Sequence, residues 1–298
     1  MTNRLELNWK LDGFVDEQRY YCSETAIDIE NPPPPKVVLD GSDRSYIDGD
    51  IDEDKNYNVC FSSVKNGIEK FSSIIQVSTF PNVPFQYVVS LLNFENGLVD
   101  VTGKRIWTSS DANVAKVVDT DHMWGSKALS ILGTTLGKYI YTADSEDFWF
   151  GAQDFGIEAS IRLSSNNNFH TILSQRADNG LAQSFCFYYF NGAINFEYSI
   201  NGGSVITVSA PITLTTNIKY DVQCVREGAS LKIAVNGIEL IDHNVGMASL
   251  FNSNQPVVVG QLNSSLQGGY LNGYIDEIRV TKGFAPPIKA KSRAFPTS

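Results

Sequence analysis

The chain has 298 residues and a formal net charge of −10, with 19% charged and 42% hydrophobic side chains, a balance that supports a packed core and excludes a disordered chain. No apolar run reaches the ~18 residues of a membrane helix and no basic-apolar-small leader follows Met1, so neither membrane insertion nor export is expected. Clustered Lys and Arg are needed to hold phosphates, so an acidic body also argues against nucleic acid as a partner.

Along the chain, long helical periodicity is absent. Short alternating runs separated by Gly, Asn, Asp and Pro recur, which predicts an all-β protein. Leu5, Leu7, Trp9 and Leu11 alternate with polar residues as a half-buried strand. Pro32–Pro35 stiffens a loop as polyproline II. Asp48, Asp50, Asp52 and Asp54 occupy alternate positions, but Glu53 and Val59 stand where an EF-hand loop needs Gly and Glu, so a solvated acidic turn is expected. Tyr57, Val59 and Phe61 form the next strand, and Asn66-Gly67 turns it into another. Residues 80–87, with Pro81 and Pro84, read as a linker.

Beyond the linker, predicted strands include Val88–Phe94, Ala128–Leu132, Ile157–Leu163, Phe185–Phe190, Ile194–Ile200, Tyr220–Arg226, Leu231–Val235 and Pro256–Val259. Asn201-Gly202-Gly203 and Asn236-Gly237 supply hairpin turns. The closing run Gly273–Val280 alternates so that Asp276 shares a face with Ile278 and Val280, while Glu277 and Arg279 share the other. A carboxylate on the apolar face must be hydrogen-bonded, metal-bound or catalytic. The last residues carry Lys282, Lys289, Lys291 and Arg293 with no acid, and residues 285–298 read as a solvated, frayed basic tail, with docking on an acidic neighbour as the alternative. Cys22, Cys60, Cys186 and Cys224 lack metal spacing and read as buried free thiols, which suits a reducing cytoplasm.

Residues 1–79 resemble a fibronectin type III domain. Trp9 lies on an early core strand, Tyr20-Tyr21 on the next, and Ile51 precedes Tyr57 as in that family's tyrosine corner. Residues 88–284 resemble the laminin-G-like, concanavalin-A-like jelly rolls. The matching pieces are Leu92-Asn93-Phe94-Glu95, Phe148-Trp149-Phe150-Gly151, Asp154–Glu158, Val235-Asn236-Gly237, Val259-Gly260 and Tyr274–Val280. A fibronectin module followed by such a jelly roll is similar to virion proteins of tailed phages. That resemblance implies a non-enzymatic tail, fibre or decoration protein, assembled in the host cytoplasm into the virion. Its partners would be other virion proteins, a second copy, or a host-surface glycan.

Some relatives of this superfamily are glucanases, which need paired carboxylates in E-x-D-x-x-E spacing on one strand. No such triplet occurs, and Asp276 and Glu277, being adjacent, face opposite sides, so no catalytic residues are assigned. Asp276 reads as a structural acceptor of backbone N–H groups at the sheet edge, and Asp276→Asn is expected to weaken folding more than binding. Trp9 and Tyr57 are read as structural too. No metal or other cofactor is expected; calcium in a rim loop, at Asp119 and Asp121, is the weaker alternative. His122, His170 and His243 are read as ordinary loop or surface residues. Phe185–Phe190 is aromatic or apolar on both faces, so its outward face is covered by other segments or a partner, or forms an aromatic groove. Tyr188 on that strand, with Trp107, Trp124 and Tyr270 in Gly/Ser/Asn-rich segments, are the candidate contacts to carbohydrate or a partner; wedging of the latter three into the core is the alternative. The competing class is a lectin-like module or degenerate glucanase.

Overall fold

The computed structural model describes residues 5–52, 55–79, 83–132, 138–166, 169–177, 181–262, 269–291 and 293–297. The chain is all-β and divides into two compact units, Met1–Asn82 and Val83–Ser298. Among the described residues no helix is long and apolar enough to cross a membrane.

In the first unit, β1 (Leu5–Asn8) pairs with β4 (Ser45–Asp48). A second sheet runs β3 (Val37–Asp40), β2 (Glu17–Ser23), β5 (Asn56–Lys65), β6 (Ile68–Phe71). The first half of β5 also pairs with β7 (Ile75–Ser78). Asn66 and Gly67, both at positive φ (51° and 76°), close the hairpin between β5 and β6, as the sequence predicts. Tyr20, Ile51, Tyr57 and Val59 form the core between the sheets. The Tyr57 hydroxyl accepts the Asp52 N–H at 3.0 Å, tying the strand back to upstream backbone. Tyr57→Phe is therefore expected to lower the stability of this unit by about 1 kcal/mol, read by urea titration. Trp9, just beyond β1, packs on Phe61 at 4.2 Å between ring centroids and donates its indole N–H to Gln18 at 2.6 Å. The acidic turn is not wholly solvated: Asp48 is buried, accepts the Tyr20 hydroxyl at 3.0 Å and pairs with Lys36 at 2.8 Å. Asp54 lies outside the described residues.

The second unit is a sandwich of two sheets. The larger runs β10 (Ala115–Val118), β11 (Ala128–Ile131), β22 (Gly273–Lys282), β13 (Phe155–Leu163), β18 (Lys219–Glu227), β19 (Ser230–Val235), β20 (Ile238–Asn244). Its eighth strand, β8 (Val88–Leu92), pairs with the second half of β22. The other sheet runs β17 (Val205–Pro211), β16 (Ala193–Ser199), β15 (Phe185–Phe190), β14 (His170–Gln175), β21 (Val257–Val259), β12 (Ile140–Thr142), β9 (Thr108–Ser109). One continuous core fills the space between them, including Phe150, Phe155, Phe185 and Phe196.

The closing strand departs from simple alternation. Ser160 pairs with Asp276 and Glu158 with Arg279, so Ala159 faces two residues, Glu277 and Ile278. This is a β-bulge, and Glu277 takes the left-handed backbone (φ 51°) that it needs. The extra residue resets the period: Ile275, Ile278 and Val280 are in the core, while Asp276 and Arg279 pair with the non-core residues Ser160 and Glu158. Asp276 thus does not share a face with Ile278 and Val280. Nor is it at a sheet edge, because β22 is flanked on both sides by paired strands.

The basic tail is not frayed, and residues 83–87 are not a free linker. Val83 and Phe85 pack with Val88, Leu91, Phe284 and Phe295 in one apolar cluster. The terminal segment then crosses the larger sheet. Pro286 lies where a Cβ on Gly156 would sit, and the Ala290 backbone would be 1.9 Å from a Cβ on Gly237. The Pro287 carbonyl accepts from Gln223 at 3.3 Å.

Candidate binding face

Each sheet has an outward face, and the two differ in what they leave open. On the larger sheet, polar residues of β22, β13 and β18 bond to one another beneath the terminal segment, although the Arg162 Nε, Gln223 Oε1 and Asp276 Oδ1 find no partner among the described residues. Arg279 pairs with buried Glu158 at 2.6 Å, and Gln223 donates to the other Glu158 oxygen at 3.0 Å. Ser160 donates to Asp221 at 2.5 Å and accepts the Trp124 indole N–H at 2.8 Å. Lys291 reaches Glu277 at 3.3 Å, and the Phe295 backbone N–H donates to the same oxygen at 2.6 Å. Burial pushes the Lys291 ammonium down to about 8, against the raising effect of Glu277.

Asp276 is fully buried here. One oxygen accepts the backbone N–H groups of Met123 (3.1 Å) and Trp124 (2.9 Å), and the other has no partner among the described residues. Burial, aided by the neighbouring Glu277, raises its carboxyl to about 7 although the two N–H bonds pull the other way. Asp276 is therefore the hydrogen-bonded acceptor that its sequence context suggests. The bulge, however, also gathers Glu277 and Asp276 within electrostatic reach of each other. The terminal segment covers the part of this face made by β22, β13 and β18, while β20 at its edge stays largely exposed.

The rim candidates separate. Trp107 is not a rim residue: it is buried in the core and donates to Ser90 at 3.3 Å. Trp124 is half-buried, its indole N–H turned inward and its ring covered by the Lys219 ammonium at 3.1 Å. Tyr270 is half-buried. Asp119 is exposed, and Asp121 forms an ion pair with Arg162 at 2.5 Å that holds its carboxyl below the usual range. Among the described residues no group of three His, Cys, Asp or Glu side chains is placed to hold a metal. His170 is not a surface residue: it is buried on β14, its Nδ1 accepts the Asn272 N–H at 3.2 Å, and burial pushes it down to about 4. The four cysteines are unpaired, and all but half-buried Cys22 are buried.

The outward face of the seven-stranded sheet is organised differently. Phe185, Phe187 and Tyr189 of β15 enter the core, so Cys186, Tyr188 and Phe190 point away from it. Tyr188 is nonetheless buried: Phe169 stacks on it at 4.0 Å, and its hydroxyl donates to Glu197 at 2.7 Å. Arg176 completes the group with an ion pair to Glu197 at 3.0 Å. Burial and Glu197 both raise the Tyr188 phenol above its ordinary value. Segments of the chain thus cover the middle of this aromatic strand, while Phe190 at its end stays 44% exposed. Beside Glu197 and Asn195, the cross-strand partners Thr207 and Ser209 are exposed. An exposed ring, the Thr207 hydroxyl, a Ser209 hydroxyl that donates to Asn195 at 2.6 Å, and a charge-neutral Arg–Glu pair on a rigid sheet suit recognition of a polar, hydroxyl-bearing surface. Glu197 stands at a polar position of an alternating strand, between Asn195 and Ser199, so nothing local marked it or Arg176.

Comparison with known proteins bears on this fold. No curated protein matches the sequence. The binding domain of Paraclostridial Mosquitocidal Protein 1 is similar in structure, at 16% identity and TM-score 0.53, over 70% of this chain and 50% of that one. Domain 4 of AbnA, a GH43 extracellular arabinanase from Geobacillus stearothermophilus solved with arabinotriose, is similar at 17% identity and TM-score 0.51, over 67% of this chain and 93% of that one. A third similar structure is of botulinum neurotoxin type C, whose cell entry depends on two ganglioside molecules; it shares 14% identity at TM-score 0.50, over 70% of this chain and 49% of that one. The chain spans about half the length of the two toxin structures it matches. These likenesses are of fold. Residues 133–284 match the family model described as the concanavalin A-like lectin/glucanases superfamily, which is half of the chain. The chain belongs to that superfamily.

Proposed function

We propose that this chain is a non-enzymatic attachment protein of a tailed-phage particle, with the jelly roll engaging the host surface. The observation that carries the binding reading is the contrast between the two outward faces. The middle of one lies under the terminal segment; the other exposes Phe190, Thr207 and Ser209 beside the Arg176–Glu197 pair. Domains of similar fold in two toxins and an arabinanase support recognition over hydrolysis. The phage setting rests on the resemblance of a fibronectin-like module joined to a laminin-G-like jelly roll. In that setting the first unit is the module that seats in the particle, tail or head, and the virion is the site of action.

The test is to mix purified protein with host cells and, separately, with virions stripped of it. Cell binding by the wild type, weakened about tenfold in Phe190→Ala without a change in melting temperature, is the expected result. Binding to stripped virions alone would replace attachment by assembly, and binding to neither would overturn the proposal.

A further inference from the structure

One ion pair on the larger sheet is shut away from water, and its two members lie fourteen residues apart in the chain. Lys291 of the terminal segment and Glu277 of β22 have side chains 9% and 3% exposed, with the ammonium 3.3 Å from Glu277 Oε2. Aromatic rings close around that ammonium. Its nitrogen lies 3.7 Å from the Phe295 ring centroid and 5.1 Å from a Trp124 ring centroid, and the Arg279 guanidinium sits 3.8 Å from the same Phe295 ring. The Phe295 backbone N–H fixes the Glu277 carboxylate at 2.6 Å. The other acids nearby are engaged elsewhere: Glu158 by Arg279 and Gln223, and Asp221 by Ser160 and Trp124. The bulge that delivers Glu277 holds an acidic residue in left-handed backbone (φ 51°), and such strain persists only where the surroundings enforce it and gathers at functional sites. As a fastening for the terminal segment, a buried ion pair by itself is weak, because two desolvated charges regain little from each other.

We propose that Lys291 and Glu277 condense into an intramolecular isopeptide bond that staples the terminal segment to the closing strand. The Lys291 nitrogen attacks the Glu277 carboxyl carbon. A C–N bond forms, one C–O bond breaks, and that oxygen leaves as water with the two protons the ammonium gives up. Nothing is oxidised or reduced, and no co-reactant is needed. The ion pair described above is the state before condensation. In water the reaction runs uphill, because both ions are hydrated and the amide carries no charge. Here burial has already stripped that hydration, which favours the neutral amide over the pair. Contact replaces encounter, and well-oriented groups of this kind reach effective concentrations on the order of 10⁵–10⁸ M. Burial also holds the Lys291 ammonium down to about 8, so the nucleophilic free amine is accessible near neutral pH. The product is a covalent ring that keeps the terminal segment on β22, whatever the other sheet binds.

The test is intact mass spectrometry of the full chain, denatured after several days at about pH 8, where half of the Lys291 amine is free. The Lys291→Arg variant, which keeps the charge but cannot form the amide, is measured beside it. The expected result is a wild type lighter than its sequence by one water and a variant at its full sequence mass. Trypsin is then expected to release from the wild type one branched peptide, joining Ala290–Arg293 to the peptide that ends at Arg279, because an acylated Lys291 is no longer cleaved. That digest stands whether or not the variant folds. A wild type at its full sequence mass overturns the bond. So does an equal loss of water in Lys291→Arg, or a branch that maps to other residues.

Discussion

Arg226→Met is expected to lower the stability of the jelly roll by about 3–5 kcal/mol, a fall of roughly 10 °C in melting temperature for a unit of this size. The Arg226 side chain is wholly buried, with no carboxylate in hydrogen-bond contact. Instead it donates to four backbone carbonyls: Gly228 (3.0 Å), Gly151 (3.2 Å), Ala248 (2.6 Å) and Gly246 (3.1 Å). One guanidinium thus ties together the turns at 151, 228 and 246–248, and its planar fork of donors is what makes four acceptors reachable. Burial pulls its pKa down from the ordinary value, but not far enough to discharge it. Methionine fills the volume and removes all four bonds; the Gly151 carbonyl keeps the Leu250 N–H at 2.9 Å, and the other three lose their guanidinium donor. Arg226→Lys, with a single ammonium, is expected to lose an intermediate amount. Calorimetric melting of the three proteins checks the series, and a Met variant within about 2 °C of wild type would sink the clamp.

The second large effect is a pH-dependent crossing in Asp276→Asn. The folded carboxyl titrates near 7 against an ordinary 3.8, so the fold favours its protonated form. Its contribution is fully favourable below about pH 4 and is lost as pH rises through 7, a swing on the order of 4 kcal/mol. Asparagine keeps an oxygen for the Met123 and Trp124 N–H groups and cannot ionise. Its amide takes the place of the unpartnered oxygen and becomes an unmet donor, at about 1–3 kcal/mol. The variant is thus expected to melt below wild type at pH 4 and above it at pH 9. Comparing the two proteins at each pH cancels titrations that do not sense Asp276; Lys291 and Lys219 on the same face do sense it and add to the pH dependence. A pH-independent difference would show that Asp276 stays charged throughout. The simple alternation of the closing strand predicts a plain loss of folding instead; the bulge is what changes the sign.

Much of the architecture was legible in the chain. The Phe185–Phe190 strand was predicted at its observed ends, and the Asn66-Gly67 and Asn236-Gly237 pairs both sit at positive φ between paired strands. These features are local: alternation reports a half-buried strand, and Asn-Gly reports a left-handed turn. Glu277 was illegible for the opposite reason. A bulge is chosen by the partner strand and by what lies on the face, and an acidic residue in left-handed backbone has no sequence signature. Trp107 was half legible: its Gly/Ser/Asn-rich surroundings left a rim position and wedging into the core both open, and it packs in the core.

For the candidate site the division is sharper. That one face of β15 must be core and the other covered or used followed from its composition. Which segments cover it did not, since Phe169, Arg176 and Glu197 reach Tyr188 from three different stretches of chain. The basic tail is the clearest case. Charge alone placed Lys291 in solvent, but Glu277, Trp124 and the apolar anchor Phe295 draw it onto the sheet. By itself the sequence determined the class, the turns and the superfamily, because those depend on periods of two residues and on backbone preferences. Only the tertiary structure decided which closing-strand carboxylates are sealed and which sheet face stays open, because burial of a charge is a property of everything packed around it.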